Sequence, residues 1–561
     1  MPLGIELAAS WARMLSPEEI AGEIERSLDF LTTSTRNVPE RHRSMRAVFD
    51  YSWNLLSEAE QQVLRGLSVF CGGFTRAAGE EVAGATLPFL TTLADKSLVR
   101  RTGAGRFDLH ELVRQYGAAR LAEVPGAQEA ARARHCDYYA GLLERRYGAL
   151  RGPEQRATLD ELQRDVDNAR AAWDVAVKQG SVGVMRRAAR GLALFYELNN
   201  WFHEGEAAFA RVVPVLERGV AESGDARVAL GLALMFQGVF HFRGGGQQEQ
   251  GRVLVERGVE VLQGGDDREA LIDALNEQAF LSVRVGDYEG ALRLLHEALA
   301  LGRVAGYAWG TASSLSYLGV TRYSLAEFEE AYQWFSESYE VNRAIGDPSS
   351  LSYVLSYLGP IAAALGKADE ARRYCRESLA LSEALGVRWS IAFALMNQGL
   401  ASYWLGDYEE AIAPLQRSVG LYREIGDRWS VGMALNRLGN GCAALGAWDE
   451  ARRHYLGALD AAREVQVTSQ ALNALAGLAR AFAAEGAIDA ALELSMLARE
   501  HPQTARYTRP QMEGLLAELL PRVSQEEVAA AEERARGRSL EEVVDETLER
   551  YGDVLAAQTS K

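Results

Sequence analysis

Six segments of the chain repeat every forty residues without a slip: RVGDYEGALRLL, SLAEFEEAYQWF, ALGKADEARRYC, WLGDYEEAIAPL, ALGAWDEARRHY and AEGAIDAALELS. Their alanines fall at Ala291, Ala331, Ala371, Ala411, Ala451 and Ala491, and leucines at Leu275, Leu315, Leu355, Leu395, Leu435 and Leu475 keep the same beat. Four residues after each leucine the chain is small: Ala279, Gly319, Gly359, Gly399, Gly439 and Ala479. A coiled coil would show heptads instead. A beat of this length means one supersecondary unit per period, each unable to cover its own apolar face and each stacking on the next.

Within a unit an apolar stripe runs from 271 to 285, breaks at Gly286-Asp287 and resumes from 288 to 301. Helical spacing on both sides of a glycine break predicts two helices joined by a tight turn. The small residues let neighbouring helices approach, and leucine fills the space between them. The expected fold is therefore nearly all-α: an α-solenoid of helical hairpins.

These units resemble tetratricopeptide repeats in the Leu-x-x-[Leu/Gln]-[Gly/Ala] of the first helix, the Gly-Asp-Tyr-Glu-Glu-Ala turn complete at 406–411, and a small residue seven after that alanine. They are longer than the usual period of about 34 residues. Residues 228–266 read as a degenerate further unit, which places the superhelix at 228–502. Residues 503–561, with SLEEVVDETLERYG, read as capping helices.

The front of the chain has another texture. Residues 44–122 give a helix, a second helix capped by Ser57, a Gly-Gly break, and a third helix after Thr75; then come a helix, a short strand, the turn TGAG, a strand and a helix. That order predicts a winged-helix domain with a two-stranded wing. PLGIELAASWARML is similar to the Gly-Leu-Pro-Leu-Ala motif of STAND-type (NB-ARC-like) signal-transduction ATPases. RHRSMRAVFDYSWNLLSEAEQQVLRGLSVFCGGFT resembles the start of their winged helix, and FDLHELVRQYG their Met-His-Asp region. ELQRDVDNARAAWDVAV and NNWFHEG resemble the helical segment before the repeats in bacterial transcriptional activators of this group. Residues 1–43 then correspond to the end of a helical subdomain, and 123–227 to a helical linker with irregular first repeats.

The resemblance implies that Pro2 and His110 stand where the family's motif proline and histidine meet adenine and the ADP β-phosphate, although Glu111 replaces the usual aspartate. It also implies ATP or ADP as cofactor in the complete architecture, where a nucleotide-binding domain precedes the motif proline; in this chain that domain is expected to be missing. No cofactor is expected in this chain: its four lysines, Lys96, Lys178, Lys367 and Lys561, all lack the Gly-Lys-[Ser/Thr] context of a phosphate loop.

Catalytic and metal constellations are missing from the sequence. HELVR and HEGEA lack a second helical histidine, no cysteine pair has zinc spacing, and no Gly-x-Ser-x-Gly elbow occurs. Cys71, Cys136, Cys375 and Cys442 are scattered, as reduced thiols in a cytoplasmic protein would be. A net charge of −17 argues against broad nucleic-acid binding, although Arg41, Arg43, Arg46, Arg100, Arg101 and Arg106 could cluster on the winged helix. No run is long and apolar enough to cross a membrane.

The repeats are the better place for a ligand. On the tetratricopeptide register the groove-facing candidates are Phe280, Tyr323, Tyr353, Phe393, Met396, Tyr403, Trp404, Asn436 and Asn440. Aromatics beside amides suit an extended peptide or an effector. Trp309, Trp389 and Trp429 share the beat and are expected to pack between units. The sequence thus points to a non-enzymatic sensor and interaction arm of a STAND-type regulator, with a protein, a peptide or a small effector as ligand, and with a homo-oligomer left open. The alternatives are half of a split ATPase that binds nucleotide only with a second chain, or a plain scaffold.

Overall fold

The computed structural model describes residues 44–551 apart from 104, 220–222, 247 and 505, together with short stretches before residue 44. Pro2 lies outside the described residues. Two compact units emerge: Met1–Tyr147 with Ala157–Leu192, and Gly148–Arg156 with Ala193–Lys561.

In the first unit, helices Met45–Asn54, Glu58–Leu67, Arg76–Ala83, Leu87–Asp95 and Glu111–Ala122 surround a small antiparallel sheet. Its strands are β1 (Phe74–Thr75), β2 (Arg100–Thr102) and β3 (Arg106–Asp108), in the order β1-β3-β2. The sheet has one strand more than expected, because Phe74 and Thr75 leave the Gly72-Gly73 turn extended and pair with Phe107 and Arg106. Ser57 and Glu60 form a reciprocal capping box, and the Thr75 hydroxyl accepts from Ala78 N. Leu64, Leu67, Phe70, Phe74, Val82, Leu90 and Leu93 make a dry core.

Helices Ala127–Tyr147 and Gln155–Gln179 add a buried polar network to this unit. Arg106 reaches Asp165 at 2.6 Å and also donates to Gly73 O. Asn168 accepts from Cys71 N and donates to Gly73 O, so the Gly-Gly turn is tied down from both sides. His135 meets Asn168 Oδ1 at 3.3 Å, and burial pulls its pKa down to about 4. Each polar group here has a partner, which is what makes such burial tolerable.

The second unit is an all-α solenoid. Hairpin Gly224–Arg243/Gln248–Gln263 precedes six regular ones: Arg268–Val285/Tyr288–Ala305, Ala308–Ser324/Phe328–Ile345, Pro348–Ala364/Ala368–Leu385, Arg388–Leu405/Tyr408–Glu424, Arg428–Ala444/Trp448–Glu464 and Thr468–Glu485/Ile488–Glu500. Most intra-hairpin turns close on a left-handed glycine such as Gly286 (φ 88°) or Gly406 (φ 82°), but the second hairpin forces Ala326 to φ 59°. The small position of each first helix faces the residue sixteen further on. A Cβ added at Gly319 would sit 2.6 Å from the Phe335 ring; at Gly359, 2.5 Å from Cys375 Sγ; at Gly439, 2.6 Å from Tyr455. Alanine suffices in the first hairpin, where the partner is Leu295, and in the sixth, where it is Ser495. Gly399 would likewise bring a Cβ to 2.5 Å from Leu415 Cγ, so the forty-residue beat marks a close approach between the two helices of each hairpin. Helices Thr508–Leu519, Gln525–Gly537 and Leu540–Tyr551 close the stack, their Met512, Leu516, Ala531, Val544 and Leu548 joining the core of the last hairpins.

Candidate functional site

Non-neighbouring hairpins touch, first helix to first helix in one case and through the start of the second hairpin's second helix in two others. The Arg284 guanidinium of the first hairpin lies 3.2 Å from the Trp429 ring centre of the fifth. Phe328 of the second meets Trp404 of the fourth edge-on at 6.1 Å. Arg506, beyond the sixth hairpin, lies 3.9 Å from Glu327 of the second. The array is therefore curled, and the first helices line its inner face.

Two ladders run along that face. One is Glu277, Tyr317, Tyr357, Asn397 and Arg437, each forty residues from the next. Tyr317 donates to Glu277 at 3.3 Å, and Arg437 donates to Asn397 Oδ1 at 3.1 Å. The other holds Tyr353 and Phe393, stacked at 5.4 Å, with Trp389 stacked on Phe393 at 5.0 Å. Tyr357 packs on Tyr323, Phe335, Tyr353 and Phe393.

Charge in this aromatic lining is costly. Arg243 is held by Glu197 at 2.5 Å and by Glu277 at 4.0 Å. Burial nonetheless pushes the Glu277 carboxyl up to about 7, against the pull of Arg243, and its Oε2 has no hydrogen-bond partner. Desolvation brings Arg284 down to about 10 and Tyr323 up to about 12, and raises Tyr317, Tyr353 and Tyr422 well above the usual phenol range. Surface clefts of about 400 and about 640 Å³ open elsewhere, the second beside Arg252, Gln278 and Arg293, and neither contains these ladder residues.

The sequence-predicted groove residues divide. Phe280, Tyr323, Tyr353 and Phe393 lie on the inner face, Phe280 beneath the guanidinium of Arg284 at 5.3 Å. Trp404, 40% exposed, and Tyr403 pack on each other near the turn of the fourth hairpin. Met396 is fully buried, and Asn436, 8% exposed, donates to Gln470 O of the next hairpin at 3.4 Å. Both belong to the interface between hairpins, not to the groove. Asn276 occupies the equivalent place in the first hairpin and donates to Gly310 O. Asn440 accepts from the Tyr455 hydroxyl at 2.8 Å within its own hairpin. The register was one residue off: a step of about 100° moves the inward position from Met396 and Asn436 to Asn397 and Arg437. Arg284, Tyr317 and Tyr357 are not among the sequence-predicted residues, and Trp389 and Trp429, expected between units, also face inward. The signal lay in the beat at position 277, where the side chains stop being aliphatic.

The three periodic tryptophans do different jobs. Trp309 donates to Arg151 O at 3.3 Å and stacks under the Arg151 guanidinium, so it holds residues 148–156 rather than a neighbouring repeat. Trp389 donates to Asp427 of the next hairpin at 3.0 Å, and Trp429 carries Arg284. His110 is the N-cap of helix Glu111–Ala122: its Nδ1 accepts from Leu112 N at 3.3 Å, and desolvation lowers its pKa. The basic cluster does not assemble among the described residues, since Arg106 is committed to Asp165 and Arg100 to Asp108. Arg41 and Arg43 lie outside them. No described helix is long and apolar enough to cross a membrane.

A tetratricopeptide-repeat family model matches residues 350–424, and the model of anaphase-promoting complex subunit 5 matches residues 275–365. A Mycobacterium tuberculosis protein that bears the name of an HTH-type transcriptional regulator is 36% identical over 192 residues, which is 32% of this chain and 21% of that protein. The chain thus spans about a fifth of that relative. An uncharacterized M. tuberculosis protein is 32% identical over 147 residues, 24% of this chain and 37% of the relative. Among solved structures, the chain is similar to a STAND protein with a tetratricopeptide repeat sensor from Pyrococcus horikoshii: TM-score 0.50 and 16% identity, with 92% of this chain and 71% of that one covered. At that identity the likeness concerns the fold alone.

Proposed function

We propose that the second unit is the non-enzymatic sensing arm of a STAND-type regulator, and that it takes an extended peptide or protein segment on its inner face. The first unit, with its helices and three-stranded sheet, then serves as the winged-helix hinge. The observation that carries this is the inner ladder: five of its side chains from Glu277 to Arg437 are polar or aromatic at a position that core packing alone would fill with leucine. Rings supply contact area, and hydroxyls and amides match a peptide backbone. The regulator's name borne by the mycobacterial relative and the repeat-family match support the same reading. A ligand with different affinities for two arrangements of the arm would bias the switch.

The test is selection of binders from a random-peptide display library against the full chain, followed by titration of enriched peptides into the Trp404→Ala and Tyr357→Ala variants. Wild type should enrich peptides. One aromatic contact is worth about 1 kcal/mol, so each variant should bind about fivefold more weakly with unchanged circular dichroism. Failure to enrich any peptide, or binding indifferent to both substitutions, would refute the groove.

A further inference from the structure

Packing does not account for Arg284 on the inner face. A guanidinium carries five N–H donors, and among the described residues Arg284 makes no hydrogen bond and no ion pair; its Nε is shielded and unsatisfied. It is held by rings alone: Trp429 at 3.2 Å, Phe280 at 5.3 Å and Phe242 at 5.9 Å. A cation stacked that closely on an indole face turns its N–H edge away from the ring, which is the edge that grips a carboxylate with two parallel bonds.

The nearby acids are already engaged. Asp427 accepts from Ser430 N at 3.0 Å, from the Ser430 hydroxyl at 2.6 Å and from Trp389 Nε1 at 3.0 Å. Glu277 is occupied by Tyr317 and lies beside Arg243, whose own charge is met by Glu197. Arg437, further along the ladder, donates to the neutral Asn397 amide and has no ion pair among the described residues. Leaving an arginine unpaired in such surroundings is unfavourable, and its depressed pKa of about 10 reflects that while keeping it charged at neutral pH. Among the described residues the inner face thus holds two guanidiniums, Arg284 and Arg437, without an ion pair; the charge of Asp427 reaches Arg284 only through space, because its oxygens are taken up by neutral donors.

We infer that Arg284 is the anchor for a carboxylate on the ligand, so that the inner face selects acidic peptides. The guanidinium stays on Trp429 and presents its free edge to an Asp or Glu side chain or to a terminal carboxylate. This rests on the groove reading above and adds the chemistry of the ligand to it.

The test uses a positional-scanning library of acetylated, amidated peptides in which one position is fixed as Asp or Glu against Asn or Gln, and the same peptides with a free C-terminal carboxylate. Charge-assisted hydrogen bonds predict a preference of about tenfold or more for the carboxylate at one position in the full wild-type chain. Arg284→Gln should abolish that preference while neutral peptides bind as before. Arg284→Lys, which keeps the charge without the fork, should leave a reduced preference and covers the case in which Arg284→Gln fails to fold. Preference confined to one arm identifies the carboxylate as side-chain or terminal. Peptide binding without any acid preference, or a preference that survives Arg284→Gln, would overturn the inference and leave the groove standing. Absence of all peptide binding would remove both.

Discussion

Gly439 offers a direct test of what the forty-residue beat is for. The Tyr455 ring is 1% exposed and lies between Gly439 and Gly477, with its hydroxyl held by Asn440. A methyl at Gly439 would meet the ring at 2.6, 2.8 and 3.0 Å, inside van der Waals contact, and Gly477 blocks retreat on the other side. Overpacking of this kind costs about 1–3 kcal/mol, whereas replacing a mid-helix glycine by alanine gains about 1 kcal/mol in helix propensity. The net expectation for Gly439→Ala is a loss of up to about 2 kcal/mol, combining both effects. Urea unfolding followed by circular dichroism should show a lower midpoint, and amide exchange should quicken in helices 428–444 and 448–464. In a Tyr455→Leu background the same substitution should cost less, because a flexible leucine, as at Leu295 opposite Ala279, can give way where the ring cannot. A raised midpoint for Gly439→Ala alone would mean that propensity wins and that the small position is not a packing requirement.

Two further outcomes follow from local chemistry. Glu277 has a folded pKa of about 7 against a usual value of 4.5, so the native state holds a proton that the unfolded chain releases between those values. Stability therefore falls as pH rises through that window, by up to about 3 kcal/mol; Glu277→Gln should match wild type near pH 5 and exceed it near pH 8, and parallel stability curves would contradict the assignment. Ala326 sits at φ 59° where the other five intra-hairpin turns carry glycine. Ala326→Gly should raise stability by about 0.5–1 kcal/mol, the relief of a left-handed alanine less the entropy of glycine, seen as a higher unfolding midpoint, and a loss would show the turn to be unstrained.

The hairpin boundaries could be read from the sequence because they depend on local rules: a glycine break, an apolar stripe, and caps such as Ser57 and Thr75. The inner face could not be read as well, because it depends on how far each hairpin rotates against the next. An error of one residue exchanged Asn397 for Met396 and Arg437 for Asn436, although the forty-residue bookkeeping was correct. Arg284 escaped for another reason. An arginine in the last turn of a helix reads as an ordinary complement to the helix dipole, and only the meeting of the first hairpin with the fifth shows that it rests on an indole and makes no ion pair among the described residues. His110 illustrates the converse: a residue singled out by family resemblance is already used as a cap on its own helix.

The contact between Arg284 and Trp429 has a consequence for how such a chain could evolve. In a solenoid held together solely by adjacent units, inserting or deleting one unit changes length and little else. Here a lost or gained period between residues 284 and 429 would carry the tryptophan away from the arginine and break the contact between them. Copy number is therefore a property of that contact itself, and homologues that keep the arginine should also keep the count.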